Sequence, residues 1–310
     1  HDDKGRIVAA NYYDVDKKVH RVTGKTFILA SNGIESPRLL LLSKSDKFKN
    51  GLANEHDQVG RNLMDHPSTS LTFDADEDVW LGRGPQSPSS INAMRDGSFR
   101  SEHAPYRLDF TNISRVDGAT SSLLKQGVYG KEFEEKLRHI SAREMSVKNV
   151  LEVLPNPENR IALSDDKDSM GIPKPRAHYQ IDEYTFKGHQ RSQKDFAKIA
   201  ELMGATNLRY TKDHVYANNQ HICGTLSMGK DPKECVVDQF GRAWDHENLY
   251  MASTGLLPTS STCNSTVNAL AVAMRTAAHI LAESGGPAML PRSNTQATWK
   301  PLVPAWQPQA

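Results

Sequence analysis

The sequence predicts a mixed α/β (α+β) chain of about two domains. Three features point to that class. An apolar strand runs through a glycine turn into a leucine-rich helix at residues 27–42. A stretch rich in Pro, Ser, Gly and charge breaks the regular pattern from about residue 68. A long helix with one apolar face closes the patterned chain at residues 264–283. A length of 310 residues accommodates about two domains of ~150 residues each.

Residues 5–30 alternate in strand fashion, with RIVAANYYDV and VHRVTGKTFILAS flanking a charged turn at DKK. Phe27-Ile28-Leu29-Ala30 is apolar enough for a strand buried on both faces. It runs through Ser31-Asn32-Gly33 into ESPRLLLLS, where Ser36 is a competent N-cap and Pro37 suits the first helical position. Strand, glycine turn and helix N-terminus in that order aim backbone N–H groups at an anionic ligand. From about Ser68 to Asn149 the texture is that of a separate, substrate-side domain, with a helix over Lys131–Arg138. EVLPNPENRIALS reads as a strand interrupted by a Pro-Asn-Pro turn, and Asp165–Pro175 as a polar loop.

A helix is expected over Glu183–Leu202, with apolar positions at Phe186, Phe196, Ile199 and Leu202. Asn248–Ser253 reads as a buried strand and Pro258–Cys263 as a Ser/Thr-rich loop. The last helix, Asn264–Glu283, sets Val267, Leu270, Ala271, Met274, Ala278 and Leu281 on one face, with Thr262, Asn264 and Ser265 as competent caps. A proline-rich tail from Gly285 is expected to be loosely ordered.

Lys and Arg number 38 against 37 Asp and Glu, and neither a basic stripe nor an acidic run stands out. Nucleic acid and anionic membrane surfaces are therefore poor partners. The longest apolar runs fall far short of the ~20 residues of a membrane span. Cys223, Cys235 and Cys263 are too few for a disulfide scaffold and lack C-x-x-C metal spacing; they read as small buried apolar residues. The chain opens HDDKGRIVAANYYDVDKKV, with no initiator Met or signal peptide, and a strand begins almost at once. An N-terminal part is expected ahead of it.

The stretch NNQHICGTLSMGKD (218–231) poses the functional question. Gly224 and Gly229-Lys230 spell G-x-x-x-x-G-K, the start of a phosphate loop, but Asp231 and Pro232 follow where a Mg²⁺-holding Ser or Thr is needed. TGKT at 23–26 lacks the first glycine, and G-x-G-x-x-G occurs nowhere. The glycines then read as turn residues, and His221 becomes the residue of interest, set among the amides Asn218, Asn219 and Gln220.

At this point several ordered motifs agree. HICGTLSMG, VVDQFGRAWDHENLYMAS and PTSSTCNSTVNALAVAMRTAAHIL resemble the C-terminal part of the glucose-methanol-choline (GMC) flavin oxidoreductases, and SNGIESPRLLLLS and VGRNLMDHP resemble two internal motifs of that family. The middle of the chain, with LGRGPQS, LDFTNISRVD, EVLPNPENRIAL and GIPKPRAHYQIDEYT, is similar to the flavoprotein-subunit branch of bacterial glucose, sorbitol and gluconate dehydrogenases. The resemblance covers about Lys25 to Leu281.

It implies a Rossmann-like three-layer FAD-binding domain, incomplete at the N-terminus, and an antiparallel-sheet substrate domain. Residues 1–67 would belong to the FAD domain and 68–215 to the substrate domain. Residues 216–284 would form the active-site segment and the return to the FAD domain, and 285–310 the tail. His221 would take the hydroxyl proton of a sugar or polyol while the carbinol carbon gives hydride to the flavin. Asn264 matches the family's second catalytic position, Glu152 would orient the histidine, and Asn219 and Gln220 would meet substrate. Asn32, Gly33, Ser36, Asn62, Ser253 and Thr254 would lie along FAD, with Asp65 and His66 in the flavin's vicinity. The N–H groups of Ser265 and Thr266 would face the flavin's pyrimidine edge.

Gln220 departs from the Asn common in that branch. The missing G-x-G-x-x-G predicts that the chain alone binds FAD weakly or not at all. The branch's iron–sulfur cysteines would precede residue 1, so none of the three here is assigned to them. The resemblance further implies a cytochrome c or quinone as electron acceptor, a small helper subunit and a periplasmic location. A non-catalytic sugar-binding or assembly module and a flavin-dependent lyase stay open as alternatives.

Overall fold

The structure, a computed structural model, describes residues 1–86 and 89–286. The proline-rich tail from residue 287 and Ser87-Pro88 of the GRGPQSPSS stretch lie outside the described residues. Among the described residues, eleven strands and five α-helices make up a mixed α/β arrangement.

The largest sheet has five antiparallel strands. They are β4 (Ser70–Asp74), β5 (Ser89–Ile91), β6 (Tyr106–Phe110), β7 (Glu144–Leu151) and β10 (Thr206–Tyr210), in the order β10-β4-β7-β6-β5. Strand alternation gives this sheet two different faces. Leu71, Phe73, Tyr106, Leu108, Val147 and Leu151 point to one side and pack on Phe196 and Ala200 of α4 (Glu183–Leu202). Arg107, Asp109 and Lys148 alternate with them; Asp109 pairs across with both Ser90 and Lys148, so these polar residues share the other face. Asp182 caps α4, its carboxylate accepting the Thr185 N–H at 2.7 Å. Helices α2 (Val116–Lys125) and α3 (Gly130–Arg143) form a hairpin leading into β7.

The second core gathers Leu40 and Leu41 of α1 (Glu35–Leu42) with Val59, Leu226, Val237, Leu249, Met251 and Leu256. Here β3 (Phe27–Leu29) pairs in parallel with β11 (Leu249–Met251). Two hairpins complete the strands: β1 (Ala9–Tyr13) with β2 (Val19–Thr23), and β8 (Arg160–Lys167) with β9 (Pro173–His178).

Several local expectations need correction. Helix α1 begins at Glu35, and its first N–H groups are met by Asn32, whose Oδ1 accepts from Ile34 and Glu35 at 2.8 and 2.9 Å. Ser36 therefore sits inside the first turn, fully buried, with no hydrogen-bond partner for its hydroxyl. β3 is not buried on both faces: Ile28 is 56% exposed. The 165–175 stretch is mostly strand, leaving a turn only at 168–172. Leu202 of α4 is exposed. α5 runs over Thr266–Glu283, yet Val267, Leu270 and Met274 of its apolar face are exposed, and the helix turns Thr276 and Val272 inward. Among the described residues no helix is long and apolar enough to cross a membrane.

Candidate active site

The stretch that holds His221 is one side of an irregular antiparallel pair. Bridges join Met64 to Cys223 and Ser68 to Ala217, so six residue steps on one side span four on the other. The surplus bulges, and Gln220 takes a left-handed φ of 58° to accommodate it. Asp65 fills the gap in the ladder, its Oδ1 accepting the N–H of His66 at 2.7 Å and of His221 at 2.9 Å. Gly224 lies at the close approach below, with φ of 88°, and an added Cβ would stand 1.8 Å from the Asn62 carbonyl oxygen. The glycine there is a steric requirement of chain packing. No helix starts at Lys230, so nothing of a phosphate loop is present.

The bulge presents its side chains to two cavities. Asn219 and His221 line one of about 410 Å³, together with Ser90, Arg107, Asp109, Lys148 and Asn264. Its floor is the polar face of the five-stranded sheet. Arg107 reaches from that floor to the loop before α5. It donates to the Thr262 carbonyl at 2.8 Å and to Asn264 Oδ1 at 2.6 Å, while its Nε meets both Asp109 oxygens at 3.0 Å. Because Asn264 Oδ1 is taken, its amide NH₂ is the group left to donate. Lys148 donates to Asn219 Oδ1 at 3.1 Å. His221 Nδ1 stands 2.8 Å from His66 Nδ1. Burial pulls the His221 imidazole below its ordinary range, and the Asp65 charge opposes that pull.

Asn218, Gln220 and Ile222 face the other cavity, of about 580 Å³, with Asn32, Ile34, Leu63, Asp65, Ala177, Tyr179 and Thr254. Gln220 is thus turned away from Asn219 and His221, against the expectation that both amides meet one substrate. Thr254 donates to the Ile222 carbonyl at 2.6 Å, and Thr225 donates to the Gly33 carbonyl at 2.7 Å, which ties the α1 turn beneath the bulge. Ser253 caps a 3₁₀ turn by accepting from the Gly255 N–H at 3.2 Å. Asn62 is left-handed with φ of 58° and supplies the carbonyl that crowds Gly224. Ser265 and Thr266 stand apart from this group, at the start of α5 beside Asn264.

Glu152 does not orient His221. Its carboxylate is buried against Arg100, whose Nη2 lies 2.9 and 3.1 Å from the two oxygens. The groups hydrogen-bonded to His221 are Asp65 and His66. Arg107, Asp109 and Lys148 escaped the sequence reading, although YRLDF carries charge at alternate strand positions opposite an apolar set. Burial pushes the Cys223 thiol up to about 12, as befits an inert buried cysteine.

The model of the GMC oxidoreductase C-terminal region matches residues 155–273. The chain is 42% identical to the fructose dehydrogenase large subunit of Gluconobacter japonicus over 281 residues, covering 90% of this chain and 51% of that protein. The chain belongs to the GMC oxidoreductases. Paromamine 6′-oxidase of Streptomyces fradiae is 26% identical over 84% of this chain and 46% of its own length. The chain spans about half the length of the curated relatives it matches. Pyridoxine 4-oxidase from Mesorbium loti shares the fold at a TM-score of 0.63 and 18% identity, over 88% of this chain and 54% of that one.

GMC oxidoreductases are FAD-binding flavoproteins, and the residues here fit such a group. The larger cavity joins apolar walls (Ile34, Leu63, Ala177, Ile222) to amide side chains. It also holds Asp65, whose Oδ2 is buried without a partner. An orphaned carboxylate oxygen suits the N–H and O–H donors of a flavin and its ribityl chain.

Proposed function

We propose that this GMC chain carries the proton-abstracting half of an FAD-dependent dehydrogenase acting on a CH–OH group of a sugar or polyol. The observation behind this reading is the meeting of His221 and Asn264 in one cavity over a polar floor. An imidazole held below its ordinary range is neutral at pH 7 and ready to accept the hydroxyl proton. The Asn264 amide, oriented by Arg107, donates to the same oxygen and fixes the alcohol in place. Ser90, Asp109, Asn219 and Lys148 offer the further donors and acceptors that a hydroxyl-rich molecule needs. Bound FAD supplies the hydride acceptor. Asn32, Thr254 and Asp65 would hold it from one side of the bulge, and the N-terminus of α5 at Ser265 and Thr266 from the other.

The names of the relatives, a fructose dehydrogenase and a paromamine 6′-oxidase, support a hydroxyl donor. The fructose enzyme's description as a large subunit supports assembly with a smaller partner. A cytochrome c or quinone as electron acceptor and a periplasmic setting complete the proposal. The test is reduction of an artificial electron acceptor by a panel of sugars and polyols in the FAD-loaded full-length protein. His221→Ala should lower turnover by at least ~10² with flavin retained. Sugar binding with no dye reduction by any of the panel would instead support a non-catalytic module.

A further inference from the structure

Resting on the reading of His221 as the proton acceptor, we propose that His66 is a positioning residue that fixes which nitrogen of His221 carries the proton. The fully buried His66 ring is held at both nitrogens. Its Nε2 lies 3.1 Å from the Ser260 carbonyl oxygen, an atom that can only accept, so Nε2 carries a hydrogen. Burial favours the neutral ring, which leaves Nδ1 of His66 as a lone pair. That lone pair faces Nδ1 of His221 at 2.8 Å. Two lone pairs cannot face each other at that distance, so Nδ1 of a neutral His221 is protonated and donates. The one remaining lone pair of the His221 ring is on Nε2.

Asp65 keeps the pair in register by accepting both backbone N–H groups. The charged groups acting on His221 are Asp65 and Asp109, which favour its charged form, and Arg107 and Lys148, which disfavour it. When a substrate hydroxyl gives its proton to Nε2, the O–H bond breaks and an N–H bond forms; the pair left on oxygen becomes the carbonyl π bond as the carbinol hydrogen leaves with the C–H pair, a hydride that bound FAD would accept. The resulting imidazolium keeps the same Nδ1–H bond to His66, so the step needs no ring rotation. Without His66 the ring could place its proton on Nε2 and lose its basic atom.

The experiment uses the FAD-loaded full-length protein with ¹⁵N-labelled histidine, as wild type, His66→Gln and His66→Leu. Gln can accept from His221 Nδ1 and donate to the Ser260 carbonyl; Leu can do neither. At neutral pH the wild type and His66→Gln should show His221 with Nδ1 protonated and Nε2 bare. His66→Leu should lose that pattern and about tenfold or more in kcat, with flavin content unchanged and KM moved far less. His66→Gln should recover most of the rate. A protonated Nε2 on neutral wild-type His221 overturns the proposal. So does a His66→Leu protein with wild-type rate and pattern, or equal losses in the two variants. If His66→Leu does not fold, the nitrogen spectra of the other two proteins decide. Failure of the proton-acceptor reading is separately visible, as undiminished turnover in His221→Ala.

Discussion

Asp65 serves two purposes at the residue scale, and they can be separated. Its Oδ1 bonds hold His66 and His221 across the bulge, while its charge raises the affinity of His221 for a proton. Asn at this position can still accept both N–H groups but carries no charge. The active form of His221 is neutral, so kcat/KM should be flat near neutral pH and fall as pH drops through a value below the ordinary ~6.5. Asp65→Asn removes an influence that raises this value, so the acid limb should move to lower pH while turnover falls. A pH profile of the full-length enzyme checks this, and an unmoved limb would count against the electrostatic role. His221 and Asn264 were legible in the sequence as motif positions. Their company was not: Arg107, Asp109 and Lys148 reach the cavity from a sheet whose register no local pattern specifies. Glu152 was misassigned because a nearby cation, Arg100, claims its carboxylate.

Elements show the same division between local rules and tertiary context. α4 was readable to both ends because its stop and start are local; Asp182 precedes it and bonds the Thr185 N–H. Asp182→Ala should cost about 1 kcal/mol, seen as a lower denaturant midpoint at unchanged slope. The first turn of α1 misled because Asn32, four residues ahead of Ser36, supplies the cap. The periodicity of α5 correctly gave an apolar face, but periodicity does not say what covers it, and Val267 is 75% exposed. At the bulge the constraint is steric. Gly224→Ala asks an L-residue to adopt φ of 88° with its Cβ 1.8 Å from a backbone oxygen that has no freedom to rotate away. Either 62 or 224 must shift, which pulls the His221 ladder apart. The expected loss is about 3 kcal/mol or more, read as soluble yield and denaturant midpoint.

At the scale of the whole molecule, two fully buried imidazoles tie distant parts of the chain together, and His246 must be neutral to do so. His246 Nδ1 donates to the Gly5 carbonyl at 2.7 Å and its Nε2 accepts the Ala53 N–H at 3.0 Å, joining the first residues, the loop after α1 and the strand at β11. His66 joins the 64–68 segment to the loop before α5 through Ser260. Protonating His246 would set two hydrogens against each other at Ala53. Burial accordingly pulls both rings below their ordinary range. The unfolded chain takes up these protons near pH ~6.5 while the folded one does not, so the unfolded state binds more protons in the interval below that value. Stability should therefore be fully present above pH ~6.5 and decline as pH falls, by up to about 1.4 kcal/mol per pH unit for each ring. The decline ends where the folded rings themselves titrate. Thermal unfolding at pH 7, 6 and 5 measures the slope. His246→Gln keeps a donor and an acceptor but cannot be charged, so it should flatten the slope even if it lowers the midpoint at pH 7. A variant as acid-sensitive as the wild type would mean that His246 contributes nothing to it.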